Sequence, residues 1–535
     1  MRRTESTGIG LPRFPWATVP DVLRHQAARR PTATALIATS GDGREIELTW
    51  QELCDDAARV ANILVGLGVE PGSRIGLLLT GRCGVEQHAI YHGVHAAGCI
   101  NVPLNPRYTL PELLKVLGIA DCRVLFVEGG VLPVVEELRG HGADMLVVSV
   151  DGSLPTDLRS LMVRASATPC GRAVGPDDEC DWVFTSGTTA TPKAAAFTQR
   201  AAVACGILVA KTCELVPSDV YQSSAPFFTS TGSHTNLLGA LVAGATYYLE
   251  SAPSPREWAS RVAAHGSTCA FLSSSVLKLV ADEGGLPDGT TMRRIVYGGQ
   301  VMPDEAHLRF NEEFTARHGI GLLHLAGCTE GGPTGVYCPP SYHATYPGSI
   351  GDRGFAPWTV FDVLGEDGAP VGEGEVGELW YAAPSVMSRY VGQPEATAAT
   401  LRDGGVLTGD LVRVGESGFL WFVDRKKDII RRGGLNIASA EVEAVLALHP
   451  GVLEAAVVPK PHDVYGEEVR AVVVLRDGAA VSGEELIGFC GEHLASYKVP
   501  VELEFVRALP RNAMGKVVKS VLRGEAYGIT QPEGP

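Results

Sequence analysis

Short apolar runs alternate with segments of helical periodicity through the N-terminal part of the chain. Residues 74–79 predict a strand, the stretch around residues 88–90 predicts a helix, and residues 99–102 predict a second strand. This order is typical of a βαβ unit with parallel strands. The same alternation recurs at residues 122–127, 145–150, 220–249 and 270–297. The pattern therefore predicts a large α/β domain with more than one parallel sheet, each covered by helices.

The pattern changes towards the C-terminus. Residues 348–423 form short β-rich runs with frequent glycines, which predict a small antiparallel barrel or meander. The chain then becomes basic, Ser439 opens a predicted helix, and residues 469–475 predict a strand. We therefore expect an α/β fold with two domains. They are a large N-terminal domain of stacked α/β sheets at 1–426, which includes a small β-barrel subdomain at about 348–423, and a small α+β domain at 427–535.

Length and charge narrow the class of protein. A chain of 535 residues is too long for one compact core, which favours several domains. With 45% hydrophobic and 20% charged residues, the composition is that of an ordinary globular protein. The formal net charge is −16 and no run of lysine and arginine exceeds three residues, which argues against a nucleic-acid surface.

The cysteines and the apolar runs bear on location. Twelve cysteines are scattered without a C-x-x-C pair or zinc-ligand spacing, so neither a disulfide framework nor a structural zinc is expected. Reduced thiols and a cytoplasmic location are the default for such a chain. Residues 1–3 are basic, but no signal-peptide core follows, and no apolar run reaches the ~18 residues of a membrane helix. We therefore expect no membrane span.

A hydroxyl-rich loop at residues 185–193 carries the clearest chemical signal. Its sequence is Thr-Ser-Gly-Thr-Thr-Ala-Thr-Pro-Lys, and the apolar run 182–184 precedes it. Backbone N–H groups in a tight turn after a strand form an anion site, to which hydroxyls add donors and lysine adds a charge. The loop therefore predicts a phosphate-binding site, although a solvated Ser/Thr loop would have the same composition.

Four later segments complete a set with this loop. They are Ala-Gly-Cys-Thr-Glu at 326–330, Thr-Gly-Asp at 408–410, Asp-Arg-Lys-Lys-Asp at 424–428 running on to 433–437, and Pro-Arg-Asn-Ala-Met-Gly-Lys at 510–516. In this order the five segments resemble those of the adenylate-forming superfamily, which includes acyl-CoA synthetases, adenylation domains of peptide synthetases and firefly-type luciferases. The resemblance runs from about residue 19 to residue 521.

The resemblance implies ATP and Mg²⁺ as cofactors. The 185–193 loop would wrap the β- and γ-phosphates, and Glu330 together with Thr185 would hold Mg²⁺, which prefers oxygen ligands. Asp410 suits the ribose hydroxyls and Arg425 the same sugar or the α-phosphate. The residues implied for ATP are Thr185, Ser186, Gly187, Thr188, Thr189, Lys193, Gly299, Gln300, Ala326, Gly327, Thr329, Asp410 and Arg425.

The resemblance also implies a moving C-terminal domain. Lys516 would reach the carboxylate and α-phosphate oxygens during adenylation, where a mobile ammonium suits charge that develops in the transition state. Lys427 would be the hinge, and rotation would replace Lys516 with residues 433–437. Arg431 and Asn436 are secondary candidates for contacts with the adenylate.

The acid-binding segment departs from the superfamily pattern. Residues 226–232 resemble the wall of the acid pocket, in which Phe228 and Thr229 are candidate contacts, but the family commonly has histidine at the position of Thr229. His234 could substitute, or it could be a structural residue. Ala190 replaces a glycine, which suggests an altered loop tip. Ala326 replaces an aromatic residue, so base stacking worth about 1 kcal/mol is absent or supplied elsewhere.

Three functions fit the sequence. The first is an acyl- or aryl-CoA synthetase that takes a small-molecule acid, ATP and CoA. The second keeps the adenylation chemistry but loads a carrier protein, or uses nitrite to diazotise an aromatic amine. The third is a homologue that binds nucleotide without turnover, against which the joint retention of Glu330, Asp410, Arg425 and Lys516 argues. The absence of a carrier domain in the chain favours a diffusible thiol such as CoA, and a homodimer is possible.

Overall fold

The computed structural model describes residues 14–140, 145–185, 192–250, 254–299, 302, 304–355, 358–511 and 517–524. Its strands, in chain order, are β1 (Thr34–Thr39), β2 (Glu45–Thr49), β3 (Arg74–Leu78), β4 (Ile100–Leu104), β5 (Val124–Val127), β6 (Leu146–Ser149), β7 (Glu179–Thr185), β8 (Lys193–Thr198), β9 (Val220–Ser223), β10 (Thr246–Leu249), β11 (Cys269–Ser273), β12 (Arg294–Gly298), β13 (Gly321–Ala326), β14 (Val336–Cys338), β15 (Arg353–Gly354), β16 (Val360–Leu364), β17 (Val376–Ala382), β18 (Arg389–Tyr390), β19 (Leu401–Arg402), β20 (Gly405–Val414), β21 (Leu420–Arg425), β22 (Ile430–Arg432), β23 (Leu435–Ile437), β24 (Val452–His462), β25 (Gly466–Leu475) and β26 (Glu502–Phe505).

The α-helices connect and cover these strands. They are α1 (Val19–Arg29), α2 (Trp50–Gly66), α3 (Gly84–Ala96), α4 (Leu110–Ala120), α5 (Leu132–Gly140), α6 (Leu158–Met162), α7 (Gln199–Thr212), α8 (Leu238–Ala243), α9 (Pro255–His265), α10 (Ser274–Asp282), α11 (Asp304–Phe310), α12 (Pro394–Thr400), α13 (Ser439–Leu448), α14 (Gly483–His493) and α15 (Lys519–Leu522). Within the described ranges, none of the helices combines the length and apolar composition that a bilayer crossing requires.

Local sequence explains where several helices begin. A capping box pairs a hydroxyl side chain with a carboxylate three residues later, which satisfies N–H groups that the first helical turn leaves open. The pairs are Thr18 with Asp21 in α1, Thr49 with Glu52 in α2, Thr109 with Glu112 in α4, and Ser254 with Glu257 in α9.

Two large sheets form the N-terminal domain. One has nine strands in the order β15-β14-β13-β12-β11-β9-β10-β1-β2, and the other has seven in the order β18-β8-β7-β4-β3-β5-β6. Helices α2, α3 and α7 contribute to one apolar core with residues of both sheets, and α3 contacts both β1 and β4. Helix α3 is buried on nearly all sides, as expected of a helix between two sheets. The predicted stack of α/β sheets is confirmed.

The sheets are mixed rather than purely parallel. Strands β7 and β8 pair antiparallel, and β18 continues this pattern at the edge. Only residues 186–192 join β7 to β8, which is too short for the crossover that parallel strands need. The phosphate-loop segment is therefore the connection of a β-hairpin, which the sequence prediction of parallel sheets missed.

The β-rich subdomain is antiparallel, as predicted. Its described strands pair in the order β16-β17-β20-β19, and β21 also pairs with β20. Residues Gly405 and Val406 of β20 pair with β19, whereas Asp410 and the residues after it pair with β21. Among the described residues the sheet is thus a branched antiparallel meander, which is one of the two predicted forms.

A fourth sheet consists entirely of residues that follow Arg425. Its order is β23-β22-β25-β24, with β26 parallel to β25. Val442 and Leu446 of α13 pack with Val457 of β24 and Val469 of β25 in a separate apolar core. The small C-terminal α+β unit thus has its own core, and the predicted helix at Ser439 and strand at 469–475 are confirmed.

Candidate active site

A cavity of about 1110 Å³ lies between the N-terminal sheets and the C-terminal unit. The ends of β7, β13 and β21, together with helix α13, contribute to its walls. The residues from the predicted site that line it are Thr185, Thr229, Gly299, Ala326, Gly327, Thr329, Glu330, Asp410, Arg425 and Lys427. Residues that are distant in sequence are thus gathered around one space.

The base of the phosphate loop is well defined. Thr185 ends β7 and pairs directly across the hairpin with Lys193 at the start of β8. The Lys193 ammonium lies 5.0 Å from the centre of the Tyr390 ring, which is a cation–π distance. Ser186, Gly187, Thr188, Thr189 and Ala190, which were expected to form the loop tip, lie outside the described residues.

Glu330 is held by a second contact from Tyr390. The Tyr390 hydroxyl donates a hydrogen bond to Glu330 Oε1 at 2.5 Å, and Met387 N donates to the Glu330 carbonyl at 2.8 Å. Burial is the main cause of a raised pKa of Tyr390, and the negative charge of Glu330 raises this pKa further. The Tyr390 hydroxyl therefore keeps its proton. Tyr390 therefore connects the lysine of the phosphate loop with the glutamate predicted to bind metal.

Asp410 and Arg425 form an ion pair across two strands. They lie opposite each other in the β20–β21 pairing, and Arg425 Nε is 2.6 Å from Asp410 Oδ1. Asp410 is buried, whereas Arg425 is partly exposed. The pair presents a carboxylate acceptor and guanidinium donors side by side, which suits a ribose next to a phosphate.

Two glycines are required by close approach or by backbone conformation at the cavity wall. A Cβ at Gly331 would lie 1.8 Å from the Tyr381 hydroxyl oxygen, so no larger residue fits after Glu330. Gly299 has φ of +86° and lines the cavity, which favours glycine. Its neighbour Gln300, predicted to line the adenine site, lies outside the described residues.

The predicted acid-binding segment adjoins the Glu330 segment. Ser230 Oγ lies 3.0 Å from Thr329 Oγ1, and Thr229 lines the cavity while its hydroxyl donates to the Pro226 carbonyl at 2.7 Å. A Cβ at Gly232 would lie 2.3 Å from the Pro226 carbonyl oxygen, which explains the small residue. Phe228 is half-buried and is not among the described residues that line the cavity.

His234 serves a different network. It lies in a π-helix, Thr231–Leu237, and its Nε2 is 3.1 Å from Asp181 Oδ2. His95 Nε2 lies 3.2 Å from the other oxygen of Asp181, and Tyr91 donates to this carboxylate as well. Burial raises the pKa of Asp181, but the two imidazoles outweigh it and hold this pKa below its usual value. His234 is thus buried in the core, and it is not among the described residues that line the cavity.

The C-terminal candidates divide between the cavity and the surface. Val517 and Val518, which directly follow Lys516, line the cavity, whereas Lys516 itself lies outside the described residues. Arg431 and Asn436 pair with each other across the β22–β23 hairpin and are exposed. Lys427 is exposed and lines the cavity, where partial loss of hydration lowers the pKa of its ammonium.

Sequence reasoning missed several residues of the cavity. Phe184 directly precedes Thr185, so its position at the end of β7 could have been noted. Phe271 lines the cavity and Tyr390 contacts Glu330 beside it; neither gave a local signal, because long-range strand pairing brings each of them to the site. His307 also lines the wall and was not singled out.

Comparison with known proteins agrees with this geometry. The family profile described as AMP-binding enzyme matches residues 23–391. The chain belongs to the AMP-binding enzyme family. The profile of the AMP-binding enzyme C-terminal domain matches residues 441–516, so the small unit after Arg425 also has a counterpart in the family.

Relatives of this AMP-binding enzyme are similar over almost its whole length. It is 32% identical over 509 residues to a fatty acid–acyl-carrier-protein ligase of Streptomyces coeruleorubidus, covering 94% of this chain and 95% of the relative. It is 33% identical over 481 residues to a feruloyl-CoA synthase from an Amycolatopsis species, covering 89% and 93%. The structure of o-succinylbenzoate CoA synthetase from Bacillus subtilis, in complex with its acyl-adenylate intermediate, is similar with a TM-score of 0.84 and 26% identity, covering 96% and 99%.

These findings confirm the class of activity. The enzyme is an ATP-dependent, AMP-forming ligase of the acyl-CoA synthetase type. The predicted superfamily is confirmed, and diazotisation with nitrite is not favoured.

Proposed function

We propose that this ligase activates a small-molecule carboxylic acid with Mg-ATP and transfers the acyl group to CoA. In the first step a carboxylate oxygen attacks the α-phosphorus, the bond to pyrophosphate breaks, and an acyl-adenylate forms. In the second step the CoA sulfur attacks the acyl carbon and AMP leaves. The observation that carries the proposal is one cavity lined by Thr185, Glu330, Asp410 and Arg425 and also by residues adjoining Lys516.

The described residues suit the adenylation step. Thr185 supplies a donor and Lys193 a positive charge at the base of the loop that would take the β- and γ-phosphates. The ion pair of Asp410 and Arg425 would fix the ribose beside the α-phosphate. Charge that moves onto the leaving pyrophosphate is stabilised by groups already in place, which is the main source of catalysis in such reactions.

A magnesium site fits the oxygen atoms around Glu330. The Glu330 carboxylate and the hydroxyls of Thr185 and Thr329 line the same cavity, and a hard cation prefers such oxygen ligands. Bound Mg²⁺ would offset negative charge on the phosphate oxygens. The chain's own contribution is to orient Glu330, through the hydrogen bond from Tyr390.

The second step requires a different arrangement of the C-terminal unit. We propose that Lys516 serves adenylation and that rotation about Lys427 then brings the hairpin of Arg431 and Asn436 to the adenylate. Exposure of that hairpin, together with the position of Val517 beside the cavity, supports an adenylation arrangement in this structure. We place the boundary between the N-terminal domain and the C-terminal domain at 426/427.

Two acceptors of the acyl group are supported by similar proteins, CoA and a carrier protein. CoA is favoured because a similar curated relative and a similar solved structure are CoA ligases. A carrier protein is the alternative, because another similar relative is a ligase for an acyl-carrier protein.

Release of AMP and pyrophosphate from Mg-ATP tests the proposal. The purified chain is incubated with aliphatic acids, aromatic acids or nitrite, each with and without CoA, and aromatic amines are included with nitrite. Acid-dependent release that rises when CoA is added would support the proposal. Acid-dependent release that rises only with a carrier protein would show that a carrier protein, not CoA, is the acceptor. Release with nitrite alone would show that the substrate is not a carboxylic acid.

A further inference from the structure

A group of uncharged side chains contributes to the cavity wall. Thr229, Ser230 and Thr231 contribute hydroxyl-bearing side chains at the start of the π-helix. The apolar residues of this group are Phe184, Phe271, Leu325 and Pro333. We call these seven residues the tail pocket.

The tail pocket adjoins the site of phosphate chemistry. Phe184 directly precedes Thr185 on β7, and Leu325 directly precedes Ala326 on β13. The 3.0 Å contact between Ser230 Oγ and Thr329 Oγ1 joins the pocket to the Glu330 segment. An acid whose carboxylate reaches the α-phosphate would therefore place the rest of its chain or ring against these walls.

The described cations that line the cavity are Arg413, Arg425, Lys427 and Lys498, and Lys427 lies at the proposed hinge. Arg425 pairs with Asp410 at 2.6 Å, and Lys498 lies 2.6 Å from Glu441. The Arg413 guanidinium lies 5.2 Å from the centre of the Trp421 ring. These side chains belong to β20, β21 and the C-terminal unit, not to the segments that form the tail pocket.

Histidines of the cavity wall do not supply a positive charge near neutral pH. Burial lowers the pKa of His307 to about 2 and that of His324 to about 4. The acids Asp304 and Glu305 also line the cavity, but they begin α11 and are not part of the tail pocket.

We infer that the acid accepted by this enzyme has an uncharged tail, so that it is an aryl or alkyl monocarboxylic acid. The inference rests on the proposed function, because it places the acid beside the α-phosphate. A second carboxylate, a sulfonate or a quaternary ammonium would leave water without a counter-charge in the tail pocket, and burying an unpaired charge is costly.

Matched pairs of acids of similar size test the inference. Octanoate is compared with suberate, cinnamate with 4-carboxycinnamate, and 4-methylbenzoate with 4-sulfobenzoate and 4-(trimethylammonio)benzoate, by acid-dependent exchange of pyrophosphate into ATP. We expect the neutral tail to be favoured in kcat/KM by about 100-fold or more within the pairs that react. A charged-tail acid that equals or exceeds its neutral partner would overturn the inference and leave the ligase activity intact.

Binding gives a readout that does not depend on turnover. Acyl-sulfamoyl adenosines, which imitate the acyl-adenylate, are titrated calorimetrically with neutral and charged tails, and the neutral tails should bind about 100-fold more tightly. Equal affinity within the pairs would overturn the inference alone. Failure of every analogue to bind, together with no exchange, would overturn the proposed function and this inference with it.

A positive charge placed in the tail pocket should weaken the preference for neutral tails. Thr231 is half-buried, so Thr231→Lys can be accommodated with less disturbance than a lysine at buried Phe271. We expect Thr231→Lys to narrow the preference for cinnamate over 4-carboxycinnamate at least tenfold, whereas the uncharged control Thr231→Gln keeps it. An unchanged preference in a folded Thr231→Lys enzyme would contradict the placement of the tail.

Discussion

At the scale of single residues, Tyr390 joins two side chains that the proposed mechanism uses separately. Its ring lies under the Lys193 ammonium, and its hydroxyl donates to Glu330 at 2.5 Å. The chemical types of Lys193 and Glu330 could be recognised from the sequence, because each lies in a motif. The link through Tyr390 could not, because it depends on pairing between β18 and β8, which are nearly 200 residues apart.

Tyr390→Phe keeps the ring below Lys193 and removes the hydrogen bond to Glu330. Loss of an outer hydrogen bond to a metal ligand typically costs 10–100-fold in metal affinity, so we expect the Mg²⁺ concentration for half-maximal exchange to rise about tenfold. Binding of Mn²⁺ in the presence of ATP, followed by electron paramagnetic resonance, should weaken in parallel. Tyr465→Phe, at an exposed tyrosine, is the control, and an unchanged metal requirement in Tyr390→Phe would refute the positioning role.

The buried carboxylate of Asp181 predicts an effect on stability. Its pKa is lowered in the folded state, so its contribution is present above the unfolded pKa and is lost as the pH falls through the folded one. Asp181→Asn removes the buried carboxylate that His95, His234 and Tyr91 contact, and we expect the free energy of unfolding to fall by about 3 kcal/mol near pH 7. Differential scanning calorimetry against Asp177→Asn, whose carboxylate is largely exposed, checks this. Equal melting temperatures for the two variants would show that the network contributes little.

At the scale of elements, alternation of apolar runs was sufficient to predict stacked α/β sheets. It did not reveal the antiparallel hairpin of β7 and β8, because both strands are apolar and only the length of their connection distinguishes hairpin from crossover. The β-rich subdomain was recognised from its glycines and short runs. Its strand arrangement could not be predicted, because β20 pairs with β19 at its start and with β21 further along. The local sequence thus predicts which segments form strands, but it does not predict the order in which those strands pair.

The segment between β21 and β22 is the proposed hinge, so restricting its backbone should separate the two steps. Lys427→Pro fixes φ and removes an N–H, and we expect it to slow transfer from supplied acyl-adenylate at least tenfold more than adenylation. Lys427→Ala is the matched control, since it changes the side chain and leaves the backbone free. Equal losses in both steps for Lys427→Pro would count against the hinge.

At the scale of the whole molecule, one cavity borders both the N-terminal domain and the C-terminal unit. The five motifs could be found in the sequence, yet their convergence needs four sheets to be correctly arranged, which no local pattern specifies. In this arrangement His234 lies in the core, and Arg431 and Asn436 lie on the surface. Residue type alone could not predict which of these side chains is buried. Chemistry was therefore easier to predict than geometry.

Acid-dependent exchange of labelled pyrophosphate into ATP tests the central claim most directly, because it reports formation of the acyl-adenylate without needing the acceptor. We expect the wild-type chain to catalyse exchange with at least one carboxylic acid, and Lys516→Ala to lower the rate by about 100-fold or more while transfer from supplied acyl-adenylate to CoA is largely retained. Exchange that is absent with every acid, or that Lys516→Ala leaves unchanged, would contradict the account.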